Sequence, residues 1–292
     1  MIQYLNAVKE VLEKGKRKKN RTGVDTISIF NINYEIDLRQ GFPLLTTKDI
    51  SWKNIVIENL WFLSGVPSIR LLKKHGCKFW DKWADDTGSV PSAYGNFWRR
   101  FPIEKNGKLD YVDQIKWVIN ELKRNPDSRR LVITAWAPGN ALTSTLPPCH
   151  ITFVLNVQRD SRGKPLLCLH LTQRSCDMGL GIPYNIAGYS FLLELFARFS
   201  KIPAGIFAHT LIDAHIYTSN EDGTNKEYDH TEKLKEQLTR TPRPLPELII
   251  APFIQEFADM EYMLDAETNV IMDTFKLKNY NPYPPIKMKV AV

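Results

Sequence analysis

The chain has 292 residues, 43% of them hydrophobic and 24% charged, enough for a sizeable core in one globular domain or at most two. Its apolar runs fall short of the roughly 18 residues that cross a bilayer, and the start Met1-Ile2-Gln3-Tyr4-Leu5-Asn6 lacks the apolar stretch of a signal peptide, so the sequence reads as cytoplasmic with no membrane partner. The formal net charge of +7 gathers in one dense cluster, Lys14 to Arg21, and is elsewhere interleaved with acidic residues, which argues against a nucleic-acid partner.

Helical spacing of Ala7, Val8, Val11 and Leu12 predicts a helix over Asn6 to Lys14, and the alternation of Ile27, Ile29, Ile32, Tyr34 and Ile36 predicts a strand over Thr26 to Leu38. Trp52 to Ser64 is apolar at too many positions for a surface helix. It is expected to be a buried helix ended by Gly65 and Pro67, with Glu58 as its one acidic residue. Asp113 to Arg124 has the pattern of an amphipathic helix, stopped by Asn125-Pro126-Asp127-Ser128. Leu131 to Trp136, Ile151 to Gln158 and Leu166 to Leu171 read as successive strands, the last two joined by a turn at Asp160-Ser161-Arg162-Gly163. Tyr189 to Phe199 reads as a second buried helix, Ser219 to Asp229 as a polar surface excursion, and Thr231 to Thr239 as a charged helix. Helices and strands in separate runs, without an internal repeat or a composition break, indicate an α+β fold in a single domain over residues 1–292.

Four cysteines, Cys77, Cys149, Cys168 and Cys176, are too few for a disulfide scaffold, and with no C-x-x-C pair or zinc spacing among them no metal site is expected. Cys149 stands apart from the other three. It follows Pro147-Pro148, a segment that cannot be helical because Pro148 lacks an amide donor and restrains Pro147, so its thiol sits on a stiff loop. The companion stretch Gln173-Arg174-Ser175-Cys176-Asp177 offers Arg174, whose charge is expected to lower the pKa of that thiol and make it nucleophilic. Neighbours on an extended segment point to opposite faces, which predicts a structural role for His150. Arg21, Arg174, Ser175 and the Arg129-Arg130 pair suit a phosphate monoester, because guanidinium forks match phosphate oxygens. Glu58, on so apolar a helix, is expected to be buried with a raised pKa.

Leu146-Pro147-Pro148-Cys149-His150 and Gln173 to Asp177, with Arg21-Thr22-Gly23, Gly181-Ile182-Pro183-Tyr184-Asn185, Asp213-Ala214-His215-Ile216-Tyr217 and the closing Val290-Ala291-Val292, resemble the motifs of the thymidylate synthase family over nearly the whole chain. The resemblance implies a mixed β-sheet packed by helices, with one sheet face forming a homodimer interface. It also implies one-carbon transfer from 5,10-methylenetetrahydrofolate to C5 of dUMP. Cys149 would be the nucleophile that adds to C6 of the uracil, and Glu58 with Tyr94 would move protons around the base. The resemblance gives the phosphate to Arg21, Arg174 and Ser175, with Arg129 and Arg130 reaching it from the partner subunit. Asn185 would pair with the uracil edge, since an amide both donates and accepts. Gln173 and Asp177 join it in the substrate site, and His215 and Tyr217 would bind the ribose hydroxyl. For the folate the resemblance implies Trp80 and Trp83 flanking the pterin, Phe79, Leu146, Asp177, Leu180, Gly181, Tyr184 and Ala291 around it, and Lys48 at the glutamate tail.

Several family landmarks are altered. Val90-Pro91-Ser92-Ala93 replaces Leu-Gly-Pro-Val before Tyr94-Gly95, and Asn96-Phe97-Trp98-Arg99 lacks the usual Gln. Ala137 replaces Asn, Val154 replaces Gln, Thr172 replaces Tyr and Gly188 replaces Ser. Taken as changes around the base, they spare the nucleophile, the phosphate anchors and Asn185, and they alter the surroundings of the exocyclic methylene intermediate. The missing hydroxyl at Gly188 is expected to free space or a hydrogen-bonding site for water. Attack by water would give 5-hydroxymethyl-dUMP and tetrahydrofolate, whereas hydride transfer would give dTMP and dihydrofolate. The sequence therefore favours a deoxyuridylate hydroxymethylase, with methylation of the thymidylate synthase type as the alternative.

Overall fold

The structure, a computed structural model, describes residues 1–144 and 146–291, and of Ala141 and Thr143 it describes the backbone alone. The chain opens with α1 (Ile2–Lys14), whose buried face of Tyr4, Leu5, Ala7, Val8 and Val11 includes the first turn that the spacing left out. Next come β1 (Lys16–Lys18), β2 (Thr26–Asp37) and α2 (Trp52–Ser64). The bounds of α2 have local causes: Ser51 accepts from the Asn54 amide at its start, and Gly65 closes it in the left-handed region at φ 71, where a Cβ would be penalised. Two short helices, α3 (Arg70–Lys74) and α4 (Tyr94–Arg99), precede a hairpin of β3 (Phe101–Lys105) and β4 (Lys108–Val112). Then follow α5 (Gln114–Arg124), capped by Asp113, β5 (Val132–Thr134) and α6 (Pro138–Thr143). The site-bearing elements are β6 (His150–Arg159), β7 (Pro165–Gln173), β8 (Cys176–Asp177), α7 (Gly181–Ser200) and β9 (Ala204–Tyr217). The chain continues through α8 (Thr231–Leu238), β10 (Glu247–Ile250), α9 (Thr268–Thr274) and β11 (Phe275–Lys278).

One mixed sheet runs in the order β1-β2-β9-β7-β6-β5, with β8 paired to β9. β7 and β8 lie parallel to β9 and the remaining pairs are antiparallel. The turn between β6 and β7 falls at Asp160 to Gly163: the Asp160 carboxylate accepts from the amides of Arg162 and Lys164, and Gly163 takes φ 76. On the inner sheet face Ile32, Ile36, Phe153, Leu155, Leu171 and Phe207 join α2 and α7 in one hydrophobic cluster.

Two differences from expectation bear on the site. α7 begins at Gly181 instead of Tyr189, because Pro183 falls in its first turn, where the missing amide has no helical partner to lose. β9, the longest strand at 14 residues, was not expected at all. Its inward positions include His209 between Phe207 and Leu211, and a polar residue in that row blurs the apolar alternation.

Candidate active site

A cavity of about 670 Å³ opens where the starts of β6 and α7 and the ends of β7 and β9 meet α2 and α4. Cys149 lines it, just ahead of β6. Its backbone N–H donates to the Tyr94 hydroxyl over 3.0 Å, and its carbonyl accepts from the Arg174 amide over 2.9 Å. The Arg174 guanidinium donates through Nε to the Pro148 carbonyl (2.9 Å) and through Nη2 to that of Pro147 (2.7 Å), with its Cζ 5.4 Å from the Trp136 ring centre. A cation thus satisfies carbonyls that a proline loop cannot pair in regular structure. The expected fall in the pKa of the thiol does not result. Burial pushes Cys149 up, and Arg174, the Ser175 hydrogen bond and Arg21 pull it only part of the way back.

His150 lines the same cavity instead of facing away from it. The strand starts only at His150 and its register slips between His150 and Thr152, so strict alternation does not yet hold. The ring stacks on Tyr94 with centroids 4.6 Å apart, and burial brings its pKa down to about 4 against the pull of a hydrogen bond that it donates to Asn185.

Glu58 reaches the cavity from α2 and accepts from the Trp80 indole over 2.7 Å. Burial lifts its carboxyl to about 7 and outweighs that hydrogen bond, so near neutrality the group can both give and take a proton. Tyr94, buried on α4, is pushed far above the usual phenol range by burial and stays a hydroxyl. Phe62 lies edge-on to Tyr94 (5.1 Å) and to Trp80 (5.9 Å), making an aromatic wall beside Glu58.

Arg21 and Ser175 join Arg174 in the lining. From β9 come His215 and Tyr217, with the Tyr217 ring perpendicular to that of His215 at 5.4 Å and its hydroxyl lifted to about 12 by burial. Asn185 projects from the start of α7, and its Oδ1 accepts from Gln173 Nε2 over 3.1 Å. Asp177 Oδ1 accepts from the amides of Gly179 and Leu180 and so ties the turn that leads into α7. Trp83, Leu146, Gly181 and Ala291 complete the lining named from sequence. A hydrogen bond of 2.9 Å between His230 Nε2 and the Lys289 carbonyl holds the C-terminal segment that carries Ala291, while Val292 lies outside the described residues.

The thymidylate synthase family profile matches residues 2–292. The chain belongs to the thymidylate synthase family. It is similar to the curated thymidylate synthase of Haloferax volcanii, with 43% identity over 278 residues, which span 89% of this chain and 77% of the relative. Its chemistry is that of the family: one-carbon transfer from methylenetetrahydrofolate to C5 of dUMP.

Some residues that the thymidylate synthase motifs single out lie outside the cavity. Arg129 and Arg130 are exposed beyond α5, beside a separate hollow with Asp127 and Ser128, so within one chain they do not meet Cys149. Phe79, which is exposed, packs edge-on to Tyr184 at 5.0 Å without either lining the cavity, and Leu180 caps α7. Lys48 is 3% exposed; its Nζ donates to the Gly179 carbonyl over 2.5 Å, and burial lowers its pKa to about 8. That bond turns its ammonium onto the chain just ahead of α7.

The altered landmarks do not all surround the base. Val154 and Thr172 alternate with inward Phe153, Leu155, Leu171 and Gln173, so they sit on the outer sheet face. The space expected beside Gly188 is filled: a Cβ there would come within 2.9 Å of Asn59 Nδ2, and the same amide donates to the Ile55 carbonyl over 2.8 Å. Sequence reasoning missed Asn59 and Phe62, both of which look like ordinary members of an apolar helix until α7 is laid against them.

Proposed function

We propose that the chain methylates dUMP to dTMP, as one catalytic domain working within a homodimer. The enclosure around Glu58 carries this reading. Phe62, Trp80 and Tyr94 interlock beside the carboxylate and Trp80 covers it with a hydrogen bond. With the folate seated against this wall, an exocyclic methylene formed there would be shielded from water, which supports hydride transfer from the folate over capture by water. Asn59 filling the room beside Gly188 and the likeness to a curated thymidylate synthase weigh the same way. Methylation therefore replaces hydroxymethylation as the preferred product.

In this reading the Cys149 sulfur adds to C6 of the uracil, with Arg174 and Arg21 favouring the thiolate against burial. Asn185 reads the base edge, and Glu58 and Tyr94 move protons at it. Arg21, Arg174 and Ser175 hold the phosphate, joined across the dimer by Arg129 and Arg130, whose exposure away from their own cavity supports such a role. Val154, Ile206, Ala208 and Ile212 on the outer sheet face suit the dimer contact. His215 and Tyr217 take the ribose hydroxyl. Trp80, Trp83, Leu146, Gly181 and Ala291 flank the pterin, while Lys48 supports that wall through Gly179 instead of binding the glutamate tail.

Incubation with dUMP and methylenetetrahydrofolate tests the product. Dihydrofolate, followed by its absorbance, should appear in step with dTMP. Tetrahydrofolate accompanied by 5-hydroxymethyl-dUMP would overturn the assignment.

A further inference from the structure

Behind Asn185 runs a buried polar chain that reaches across the sheet. Tyr34 on β2 and His209 on β9 are cross-strand partners, with the Tyr34 hydroxyl 2.8 Å from His209 Nδ1. His209 Nε2 lies 3.2 Å from Gln173 Oε1. Gln173 Nε2 then donates both to the Ser175 carbonyl (3.0 Å) and to Asn185 Oδ1 (3.1 Å). His209 is 1% exposed and Gln173 2%, and His209 does not line the cavity.

One end fixes the direction of every bond. The Ser175 carbonyl can only accept, so Gln173 must turn its NH₂ toward it, and the same NH₂ meets Asn185. Gln173 Oε1 is left facing His209 and needs an N–H from Nε2. Burial keeps that imidazole neutral, so Nδ1 is bare and accepts from the Tyr34 hydroxyl.

We infer that His209 and Tyr34 are positioning residues that lock the amide of Asn185 in the orientation that reads uracil and refuses cytosine. This rests on Asn185 being the base-reading residue. Uracil presents a carbonyl oxygen next to an N–H, and cytosine presents an amino group next to a bare ring nitrogen. An Asn rotated half a turn about its Cβ–Cγ bond, which exchanges Oδ1 and Nδ2, would match cytosine. That rotation would set Asn185 Nδ2 against Gln173 Nε2, donor against donor. Gln173 cannot follow it without turning Oε1 on the Ser175 carbonyl and its NH₂ on the His209 N–H. Each conflict leaves a buried polar group unpaired.

Dissociation constants of the purified dimer for dUMP and dCMP, measured by calorimetry with thermal unfolding alongside, test this. In His209→Leu and Tyr34→Phe the preference for dUMP over dCMP should fall about tenfold or more. His209→Gln, which restores an N–H toward Gln173, should recover part of it. Tyr34→Phe keeps the ring and stands as the test if His209→Leu does not fold. An unchanged preference in the folded variants, or an equal loss of both affinities, would overturn the inference. If Asn185→Ala leaves the preference of the wild type intact, the base-reading role of Asn185 itself fails.

Discussion

The Trp80 indole donates to Glu58 across 2.7 Å, and this bond opposes the burial that lifts the carboxyl from 4.5 to about 7. Within that window the folded chain holds a proton that the unfolded chain has released, so this group makes stability fall as pH rises through it and leaves it level above. Glu58→Gln should remove the fall. Compared with wild type, the variant should gain up to about 3 kcal/mol between about pH 4 and about pH 8. Urea unfolding of both proteins across that range checks it, and parallel stability curves would mean an ordinary carboxyl. Trp80→Phe takes away the bond that lowers the pKa and should move the wild-type transition upward.

Cys149→Ser should abolish turnover while dUMP still binds, because the phosphate, ribose and base contacts are assigned to other side chains. Turnover assays with calorimetric binding decide the point, and near-normal turnover would remove Cys149 from the nucleophile's role.

Gly188→Ser would place a Cβ 2.9 Å from Asn59 Nδ2. Overpacking of this kind should cost about 1–3 kcal/mol. Asn59→Ala should relieve it, so the double variant is expected to be more stable than the sum of the single effects. A denaturation cycle over the four proteins measures the coupling, and additive effects would show that the two residues do not compete for one space.

The exposed Arg129 and Arg130 predict complementation between subunits. Cys149→Ser and the double variant Arg129→Ala/Arg130→Ala should each be inactive. After mixing and refolding, half of the dimers carry one intact site, so roughly a quarter of wild-type activity should return. No recovery on mixing would place the pair within its own subunit's site or outside catalysis.

Much of the cavity lining was legible because the residues that form it fall in short motifs, and a motif survives without knowledge of the fold. The bounds of α2 could be read from Trp52 to Gly65 because a dense apolar run and a glycine stop are local signals. β9 hid because its outward row holds Ile206, Ala208 and Ile212, apolar like much of the inward row, and His209 interrupts the inward one. The significance of Gly188 could not be judged without Asn59, which lies far off in sequence and meets it only when α2 packs on α7. Cys149 failed in the other direction: the favourable charges beside it were visible, and the burial that outweighs them was not.

Arg174 joins two tasks in one part. Its guanidinium bonds the Pro147 and Pro148 carbonyls, and its amide bonds that of Cys149, so the candidate phosphate anchor is also the brace of the reactive loop. Any pull that an anion exerts on the guanidinium is therefore passed through two short bonds to the backbone carrying the sulfur. If Arg174 holds the phosphate as proposed, recognition of the nucleotide's charged tail and alignment of the thiol under its ring become a single mechanical event, and an uncharged nucleoside would enter the same cavity without setting that lever.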